Sequence, residues 1–375
     1  MTPEFQILLS CARTHPGPAE MGSISVAVRG GLDLARLLCL AMEHGVTPLV
    51  YRNLRAVCWG DLPAGFQSEL AGHMAANAGR SRFLTAELIR LLQAFESAGI
   101  RAVPFKGPAL AASACGDIGL REFTDLDLLV RQRDLTPIAR ILLERGYATR
   151  ETGAHTRSAA FLRNECEYHY SGPGGATTIE IHWRPAQRLF DFPFALETRW
   201  DRLVETELEG FRILAFPPED QLLFLCVHAA KHLWSDLKWI CDVAELIRAF
   251  PDLDLHLSLR QAALVRNERT LLLGLALAQR LLGAELPAWV RTRIERCSSF
   301  AKVMDDIVER QETLDAPGAL QIARFHMARK AGVFQKLRQC ALILTCPMAG
   351  DWDAGPAPMA LLALRRPLRL LWKYW

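Results

Sequence analysis

The chain has 375 residues, of which 50% are hydrophobic and 23% are charged, a composition typical of a folded globular protein and not of a disordered one. The formal net charge of +3 is too small to indicate a nucleic-acid partner by itself. No apolar run reaches the roughly 18–20 residues that a membrane-spanning helix needs, so we expect no transmembrane segment.

The first 99 residues are predicted to be helical. The N-terminal stretch MTPEFQILLSCARTHPG has no basic leader, so we expect no secretory signal there. In LDLARLLCLAMEHGVTPLVYRNLR, apolar residues at spacings of three and four predict two helices separated near Gly45 and Pro48. FQSELAGHMAANAGRSRFLTAELIRLLQAFESAG predicts one long helix, or two broken near Gly79, with Gly99 as the C-cap.

A different pattern begins at residue 100. IRAVPF predicts a short strand, the segment from Gly107 to Ala114 the start of a helix, and TDLDLLV a second strand. RDLTPIARILLERGY predicts an amphipathic helix with Gly146 just past its end, and HYSGPGGATTIEIHW predicts a hairpin turn followed by a third strand. These elements form a small mixed α/β unit over about residues 100–185.

Helical patterns return after Pro217. DQLLFLCVHAAKHLW, SDLKWICDVAELIRAF and RTLLLGLALAQRLLG each predict a helix, and the segment 318–375 has nine Lys and Arg against two acidic residues. We therefore divide the chain into an N-terminal helical region (1–99), an α/β core (100–215) and a C-terminal helical region with a basic tail (216–375).

The ten cysteines are scattered, and none forms a CxxC pair. This spacing excludes a zinc ribbon and a thioredoxin-type motif. Cys39 and Cys226 lie in apolar helical surroundings, where a buried, reduced thiol is the usual state. We therefore expect a reducing, cytoplasmic compartment.

Two aspartates occupy alternate positions of the strand TDLDLLV. Asp125 and Asp127 would project from one face, where two unpaired carboxylates repel each other. A hard divalent cation compensates such a pair, and Mg²⁺ commonly takes one or two protein carboxylates together with substrate phosphates. The alternative is a solvated edge strand or an aspartate that caps a following helix. Glu180 in TTIEIHW would complete, from a neighbouring strand, an acid cluster of Asp125, Asp127 and Glu180.

A phosphate-binding segment is predicted close to these acids. FKGPALAAS places Gly107 between a strand and a helix, where backbone N–H groups and the helix dipole favour a phosphate. Lys106 adds a positive charge suited to a polyphosphate, although a strand-end lysine can also be an ordinary surface residue. Arg121, four residues before Asp125, can offer a fork of donors to phosphate oxygens.

The segment VHAAKHLWSDLKWICD carries further polar residues. His228 and His232 are four residues apart, but the HExxH glutamate is missing, which excludes the zinc metalloprotease motif. In one interpretation this helix packs on the α/β unit with its histidines hydrogen-bonded. In the other, His232 or Lys238 lines the nucleotide or acceptor cleft. His182 and Arg184, just after the third strand's acid, can reach the same site.

FKGPAL, REFTDLDLLV and IEIHW together resemble the uncharacterised nucleotidyltransferase-like family of the DNA polymerase β superfold. The resemblance extends to HGVTPLVYRNL, SAGIRAVPFKG and HAAKHLWSDLKWICDVAELI and covers about residues 30–250. It implies an α+β fold, in which a polymerase β-like mixed-sheet core is flanked by helical regions. The resembling proteins are mostly bacterial and cytoplasmic, and some are encoded beside natural-product peptide biosynthesis genes.

The resemblance also implies roles by position. The acid cluster would bind one or two Mg²⁺ (or Mn²⁺) ions, and its glutamate could accept the proton of an attacking hydroxyl. Lys106 and Gly107 would hold the triphosphate of an NTP, with ATP expected, while Arg121 assists and Lys238 contributes to nucleotide binding. The implied reaction transfers a nucleotidyl group to a small-molecule or peptide acceptor and releases pyrophosphate.

The chain departs from the family pattern at two positions. Gly107 is followed by Pro108, which has no N–H to offer a phosphate, where the superfold usually continues with Gly or Ser. Lys106 would take over part of that role. The third acid is Glu180 where the family more often has Asp, so its carboxylate is displaced by one methylene.

Three functions stay open at this point: nucleotidyl transfer, phosphotransfer by attack on the γ-phosphate in the same site, and non-catalytic binding of a peptide or partner. The tail LRRPLRLLWKYW has three interpretations as well. It could touch an anionic membrane surface, bind an acidic partner, or pack as a helix pair interrupted at Pro367. No recognised nucleic-acid-binding module is present.

Overall fold

A computed structural model describes residues 1–151, 156, 158–192, 199–347 and 366 of the chain. Its centre is a five-stranded mixed sheet in the order β1-β2-β5-β4-β3. The strands are β1 (Ala102–Pro104), β2 (Asp125–Val130), β3 (Ala148–Thr149), β4 (Glu167–Ser171) and β5 (Thr178–His182). β2 and β5 run parallel, and the other neighbouring pairs are antiparallel. The mixed-sheet α+β fold expected from the sequence is confirmed.

Helices precede, accompany and follow the sheet. Those before it are α1 (Pro3–Cys11), α2 (Pro18–Arg29), α3 (Leu34–Glu43), α4 (Thr47–Val57) and α5 (Ala64–Ser97). Those between its strands are α6 (Gly107–Leu110), continued by a π turn over Ala111–Cys115, α7 (Leu135–Glu144) and α8 (Ala159–Asn164). Those after it are α9 (Pro218–Lys231), α10 (Leu237–Ala249), α11 (Leu255–Leu264), α12 (Glu268–Leu282), α13 (Ala288–Glu295), α14 (Phe300–Thr313), α15 (Ala319–Ala328) and α16 (Val333–Thr345).

The N-terminal helices begin and end close to the predicted residues. α5 is a single helix of 34 residues that continues through Gly79, and the chain leaves it at Gly99 with a φ of +72°. Gly45, with a φ of +63°, separates α3 from α4, and Pro48 lies in the first turn of α4, where its missing N–H costs nothing.

A hairpin of β6 (Val204–Leu208) and β7 (Phe211–Ala215) was not predicted. Its strands are largely solvent-exposed, so they lack the apolar alternation that predicts a half-buried strand. Glu209 and Gly210, both with positive φ, form the two-residue turn that favours a tight hairpin. β7 packs beside β1.

Two clusters of buried apolar side chains lie on opposite faces of the sheet. One contains α5, α7 and the β2 positions Leu126, Leu128 and Val130. The other joins helices α1–α4 to the helices after the sheet and includes Phe105 and Leu129. Because side chains alternate along a strand, the face of β2 that carries its two aspartates points toward the second cluster. The boundaries at residues 99 and 215 stay a prediction.

Two further expectations concern the thiols and the membrane. All ten cysteines are free; Cys226 is buried as expected, whereas Cys39 is exposed because it lies on the outer side of α3. Within the described residues, no helix combines the length and the apolar character needed to cross a bilayer. The predicted tail LRRPLRLLWKYW lies, except for Arg366, outside the described residues.

Candidate active site

The register of β2 and β5 brings two of the three predicted acids to one level. Asp127 is paired with Glu180 across the parallel strands, and Asp125 with Thr178. Paired residues of neighbouring strands project to the same face, so all three carboxylates of the acid cluster lie on the face toward α9. Ligand atoms of Asp127, Glu180 and His182 lie within 4.8 Å of one another.

β4 adds a second charged row that the sequence analysis did not predict. Glu167 lies opposite His182 and His169 opposite Glu180 in the antiparallel pairing of β4 with β5. Cross-strand pairs of opposite charge stabilise a sheet. Glu167, His169 and Glu180 also bring ligand atoms within 4.8 Å of one another, so the charged side chains beside the acid cluster continue onto β4.

His182 lies at the centre of this network. Its Nε2 is 3.1 Å from Asp127 Oδ1 and 3.3 Å from Glu180 Oε2, and its Nδ1 is 3.0 Å from Glu167 Oε2. Burial alone would lower the pKa of His182, but the carboxylates of Glu167 and Asp127 hold it well above its ordinary value. His182 is therefore a buried cation that holds three acidic side chains together.

Lys106 is the second buried cation of the site. Its Nζ lies 2.5 Å from Asp127 Oδ1 and 3.3 Å from His228 Nδ1. Burial would raise the pKa of Asp127, yet the charges of Lys106 and His182 hold that pKa far below its ordinary value. Asp127 is therefore ionised and compensated by two protein cations.

Asp125 has the opposite environment. Its carboxylate is half-buried, and within the part of the chain that the structure describes it makes no hydrogen bond or ion pair. Burial and the nearby charge of Asp127 raise its pKa to about 6, although Lys106 acts in the other direction. An unpaired carboxylate with a raised pKa, next to two other acids, is the electrostatic signature of a site that attracts a cation.

Glu167 is held by a third cation. Lys231 Nζ lies 3.0 Å from Glu167 Oε1. Burial opposes ionisation of Glu167, but His182 and Lys231 lower its pKa well below the ordinary value. Glu151, which lies beyond the end of β3, holds His169: its Oε1 is 2.6 Å from Nδ1 of His169. This hydrogen bond raises the pKa of the His169 imidazole.

One face of α9 supplies two of these partners. His228 and Lys231 are three residues apart on the helix, so both point toward the sheet. Gln221, two turns earlier on the same face, donates a hydrogen bond of 2.6 Å to the Phe105 carbonyl and fixes α9 against the end of β1. Burial and the adjacent ammonium of Lys106 lower the pKa of His228 well below its ordinary value, so it is neutral.

The chain enters α6 through Lys106 and Gly107. Gly107 has a φ of +56°, a left-handed conformation that favours glycine, and a Cβ at this position would lie 3.5 Å from the Asp125 carbonyl. Pro108 occupies the first turn of α6 and offers no N–H there. The predicted phosphate-binding segment thus lies directly beside the backbone of Asp125, at the start of β2.

Arg121 has a different partner from the one expected. Its Nε and Nη2 donate to the two carboxylate oxygens of Asp242 in α10, at 2.7 and 2.9 Å, in a buried pair. Burial would lower the pKa of Arg121, but Asp242 raises it above the ordinary value. The fork of donors predicted for a phosphate is therefore engaged by Asp242 and ties the loop before β2 to α10.

Lys238 and His232 lie at the start of α10 and the end of α9. Lys238 Nζ is 3.3 Å from Asp236 Oδ2, and its side chain packs against Gly45. The His232 ring stacks on Trp239 at 4.9 Å, and burial lowers its pKa to about 4. His228, not His232, is the histidine of this helix that contacts Lys106.

Arg184 points elsewhere. Its Nη1 donates a hydrogen bond of 2.6 Å to the Arg163 carbonyl near the end of α8. Among the described residues, no contact joins Arg184 to the acid cluster. The structure therefore brings His182 into the network and leaves Arg184 outside it.

Glu167, His169 and Lys231 were missed in the sequence analysis, although a signal for two of them exists. EYHYS before the GPGG turn alternates polar and aromatic residues, and TIEIH after the turn alternates in the same way. A hairpin pairs these two strands, so the polar residues of both must share one face. No comparable signal exists for Lys231, because its contact joins residues 64 positions apart.

A family model described as an uncharacterised nucleotidyltransferase matches residues 31–283, about two thirds of the chain. No curated protein and no solved structure matches the chain. The matched range contains the acid cluster, Lys106, His182 and the helices α9 and α10 that close the network. The chain belongs to this family of uncharacterised nucleotidyltransferases.

Proposed function

We propose that the protein is a Mg²⁺-dependent nucleotidyltransferase. It transfers a nucleotidyl group from an NTP, with ATP the expected donor, to a hydroxyl or similar acceptor on a small molecule or peptide and releases pyrophosphate. The observation that carries this proposal is the juxtaposition of Asp127 and Glu180 across β2 and β5, with the unpaired Asp125 beside them.

The donor set fits Mg²⁺. The acid cluster offers carboxylate oxygens on one face of the sheet, and hard oxygen ligands are those that Mg²⁺ prefers. Within the described residues the Asp125 carboxylate makes no hydrogen bond or ion pair, so it is available to a cation. When bound, Mg²⁺ would neutralise phosphate charge and polarise the phosphoryl oxygens.

The protein's own groups would position the substrates. Lys106, at the start of α6, carries its charge at the edge of the acid cluster and is placed to attract the triphosphate. Glu180, whose side chain is 19% exposed, is accessible enough to accept a proton from an acceptor hydroxyl. His182 and His169 lie on either side of that carboxylate, at 3.3 and 3.6 Å, and hold its orientation.

Substrate binding provides a first test that does not need the acceptor. Titration calorimetry with α,β-methylene-ATP should give Mg²⁺-dependent binding to the wild type. The double variant Asp125→Asn with Asp127→Asn should lose this binding, because the metal would lose two carboxylate ligands and could no longer hold the phosphates at the site. Asp305→Asn is the matched control, since Asp305 is an exposed carboxylate of α14 whose partner is Arg280.

Product analysis distinguishes the reactions. With ATP labelled on the α- or γ-phosphate, pyrophosphate release in the presence of small hydroxylated and peptide acceptors supports nucleotidyl transfer. ADP release would instead show that the γ-phosphate is attacked. Absence of any metal-dependent nucleotide binding would contradict both reactions and favour a non-catalytic module.

A further inference from the structure

Asp191 is surrounded by an excess of positive charge. Lys330 Nζ lies 3.5 Å from Asp191 Oδ2, and Arg338 Nε and Arg266 Nη2 lie 3.0 and 3.7 Å from Asp191 Oδ1. Arg329, next to Lys330 at the end of α15, adds a fourth cation. We call Arg266, Arg329, Lys330 and Arg338 the basic cluster. Among the described residues, Asp191 is the one carboxylate that faces these four positive charges.

The two inner members of the basic cluster are buried without adequate partners. Arg329 and Lys330 are each 1% exposed. Within the described ranges, Nε and both Nη atoms of Arg329 make no hydrogen bond, and the Nζ of Lys330 has one long contact, the 3.5 Å ion pair with Asp191. The rings of Phe190 and Phe325 flank the Arg329 guanidinium at 5.8 and 5.5 Å, which attracts the cation but satisfies none of its in-plane donors.

The electrostatic potential inside the basic cluster is therefore positive, and the pKa values of its two inner members are lowered. Burial lowers the pKa of Arg329 to about 10, and burial together with Arg329 lowers the pKa of Lys330 to about 8. Burial and the same two cations lower the pKa of His326 to about 3. Burying uncompensated charges costs several kcal/mol, so the arrangement is expected to persist only if an anion compensates it.

The outer members of the basic cluster leave an approach from solvent. The side chains of Arg266 and Arg338 are 38% and 43% exposed, whereas Asp191 is buried between them and the inner pair. Arginine forks bind the oxygens of phosphate with two donors at once, and lysine adds a compact point charge. Within the part of the chain that the structure describes, four cations face one carboxylate, and this excess of charge matches a dianion better than a chloride or a single carboxylate.

We propose that the basic cluster is a binding site for a tetrahedral dianion, a phosphoryl group, held by Arg329 and Lys330 at its base and by Arg266 and Arg338 at its opening. None of its residues belongs to the acid cluster, and the proposal does not depend on the proposed function. The phosphoryl group can come from free phosphate or from a phosphate ester.

The test is thermal unfolding of the full chain at constant pH and ionic strength, with sodium chloride replaced by sodium phosphate. We expect phosphate to raise the Tm of the wild type by about 3 °C or more near saturation. Lys330→Met should remove this rise. It should also raise the Tm in chloride alone, because it removes one buried charge from the positive excess while Arg266 and Arg338 still pair with Asp191. Replacing phosphate by glycerol 3-phosphate shows whether the site takes a phosphate ester or the free ion alone.

Three controls keep the result interpretable. Arg212→Gln removes an exposed charge of β7 and should respond to phosphate as the wild type does. Lys106→Met should have a lower Tm in chloride than the wild type but retain the rise with phosphate, which separates the basic cluster from phosphate bound near the acid cluster. If Lys330→Met does not fold, Arg338→Gln serves instead, and calorimetry should show about tenfold weaker phosphate binding. A wild type without phosphate-specific stabilisation, or variants that keep the full response, would overturn the proposal.

Discussion

The ammonium of Lys106 lies 2.5 Å from Oδ1 of Asp127, and both side chains are almost completely buried. The lysine predicted to hold a triphosphate is thus also the nearest counter-charge of a predicted metal ligand. In surroundings of low dielectric constant this contact is strong, and it prevents Asp127 from being an isolated buried charge. A cation that binds the acid cluster would share Asp127 with Lys106.

Lys106→Met should destabilise the protein when no divalent cation is present. Removing one partner of a buried ion pair costs about 3–5 kcal/mol, because the remaining charge stays buried. Because folding lowers the pKa of Asp127, the ion pair stabilises the folded protein at pH values above the carboxyl's unfolded pKa. This stabilisation is lost as the pH falls from the unfolded pKa toward the folded one. Urea unfolding at pH 7.5 measures the loss.

Added Mg²⁺ should restore part of the stability that Lys106→Met loses, and more than it adds to the wild type. Lys106→Arg is the matched control, because it keeps the charge. If Mg²⁺ stabilises Lys106→Met no more than the wild type, Asp127 is not a metal ligand.

Asp125 should make both stability and metal binding depend on pH. Its pKa is raised from 3.8 to about 6, so the folded state binds the proton more tightly than the unfolded state. The stability due to this group is therefore greatest below pH 4 and falls as the pH rises toward 6. The difference in unfolding free energy between the wild type and Asp125→Asn, measured from pH 4 to 8, isolates this slope.

Mg²⁺ binds the ionised carboxylate of Asp125, so the affinity of the protein for Mg²⁺ should weaken about tenfold between pH 7.5 and pH 5. At the lower pH, Mg²⁺ binding should release a proton. Calorimetry in two buffers of different ionisation enthalpy detects that proton. A pH-independent affinity for Mg²⁺ over this range would exclude Asp125 as a ligand.

The local elements around the site could be predicted because their signals are local. The alternation in TDLDLLV places Asp125 and Asp127 on one face, and the glycine of FKGPAL separates β1 from α6. The position of Glu180 directly beside Asp127 could not be predicted from a local pattern. It depends on the parallel register of β2 and β5, which are joined by a long connection and not by a tight turn.

Long-range partners escaped the sequence analysis for the same reason. Asp242 is 121 residues from Arg121, and nothing in either local pattern indicates the pair. The free fork expected for Arg121 was a reasonable prediction from spacing alone. The structure adds the competing carboxylate that spacing does not show.

Glu167→Gln should lower both turnover and Mg²⁺ affinity, although Glu167 is not predicted to be a metal ligand. It contacts His182, which in turn contacts Asp127 and Glu180, so it acts through another residue. Partners of this kind typically contribute 10–100-fold to metal affinity or activity. We expect a loss in that range, measured both as turnover and as the Mg²⁺ dissociation constant by calorimetry.

Glu151→Gln is the control for this change. Glu151 holds His169, whose Nε2 lies 3.6 Å from Glu180, so it lies further from the centre of the network than Glu167. Its effect on Mg²⁺ affinity should be clearly smaller. Equal effects of the two variants would show that general loss of charge, and not the position of His182, controls the site.

The Arg121–Asp242 pair decides whether this arginine serves the fold or the phosphate. Both side chains are less than 10% exposed, and the pair joins the loop before β2 to α10. Arg121→Met and Asp242→Leu should each cost about 3–5 kcal/mol, since each leaves a buried charge without its partner. The double variant should cost much less than the sum, because both charges are gone. Urea unfolding of the four proteins gives the coupling energy.

The affinity for α,β-methylene-ATP, measured on the same proteins, separates the two roles of Arg121. If Arg121 serves only the fold, any loss of nucleotide affinity should follow the loss of stability, and the double variant should recover both. Additive stability losses would exclude a structural pair. A double variant that regains stability but binds the nucleotide as weakly as Arg121→Met would show that the guanidinium also contacts phosphate, as the spacing to Asp125 predicts.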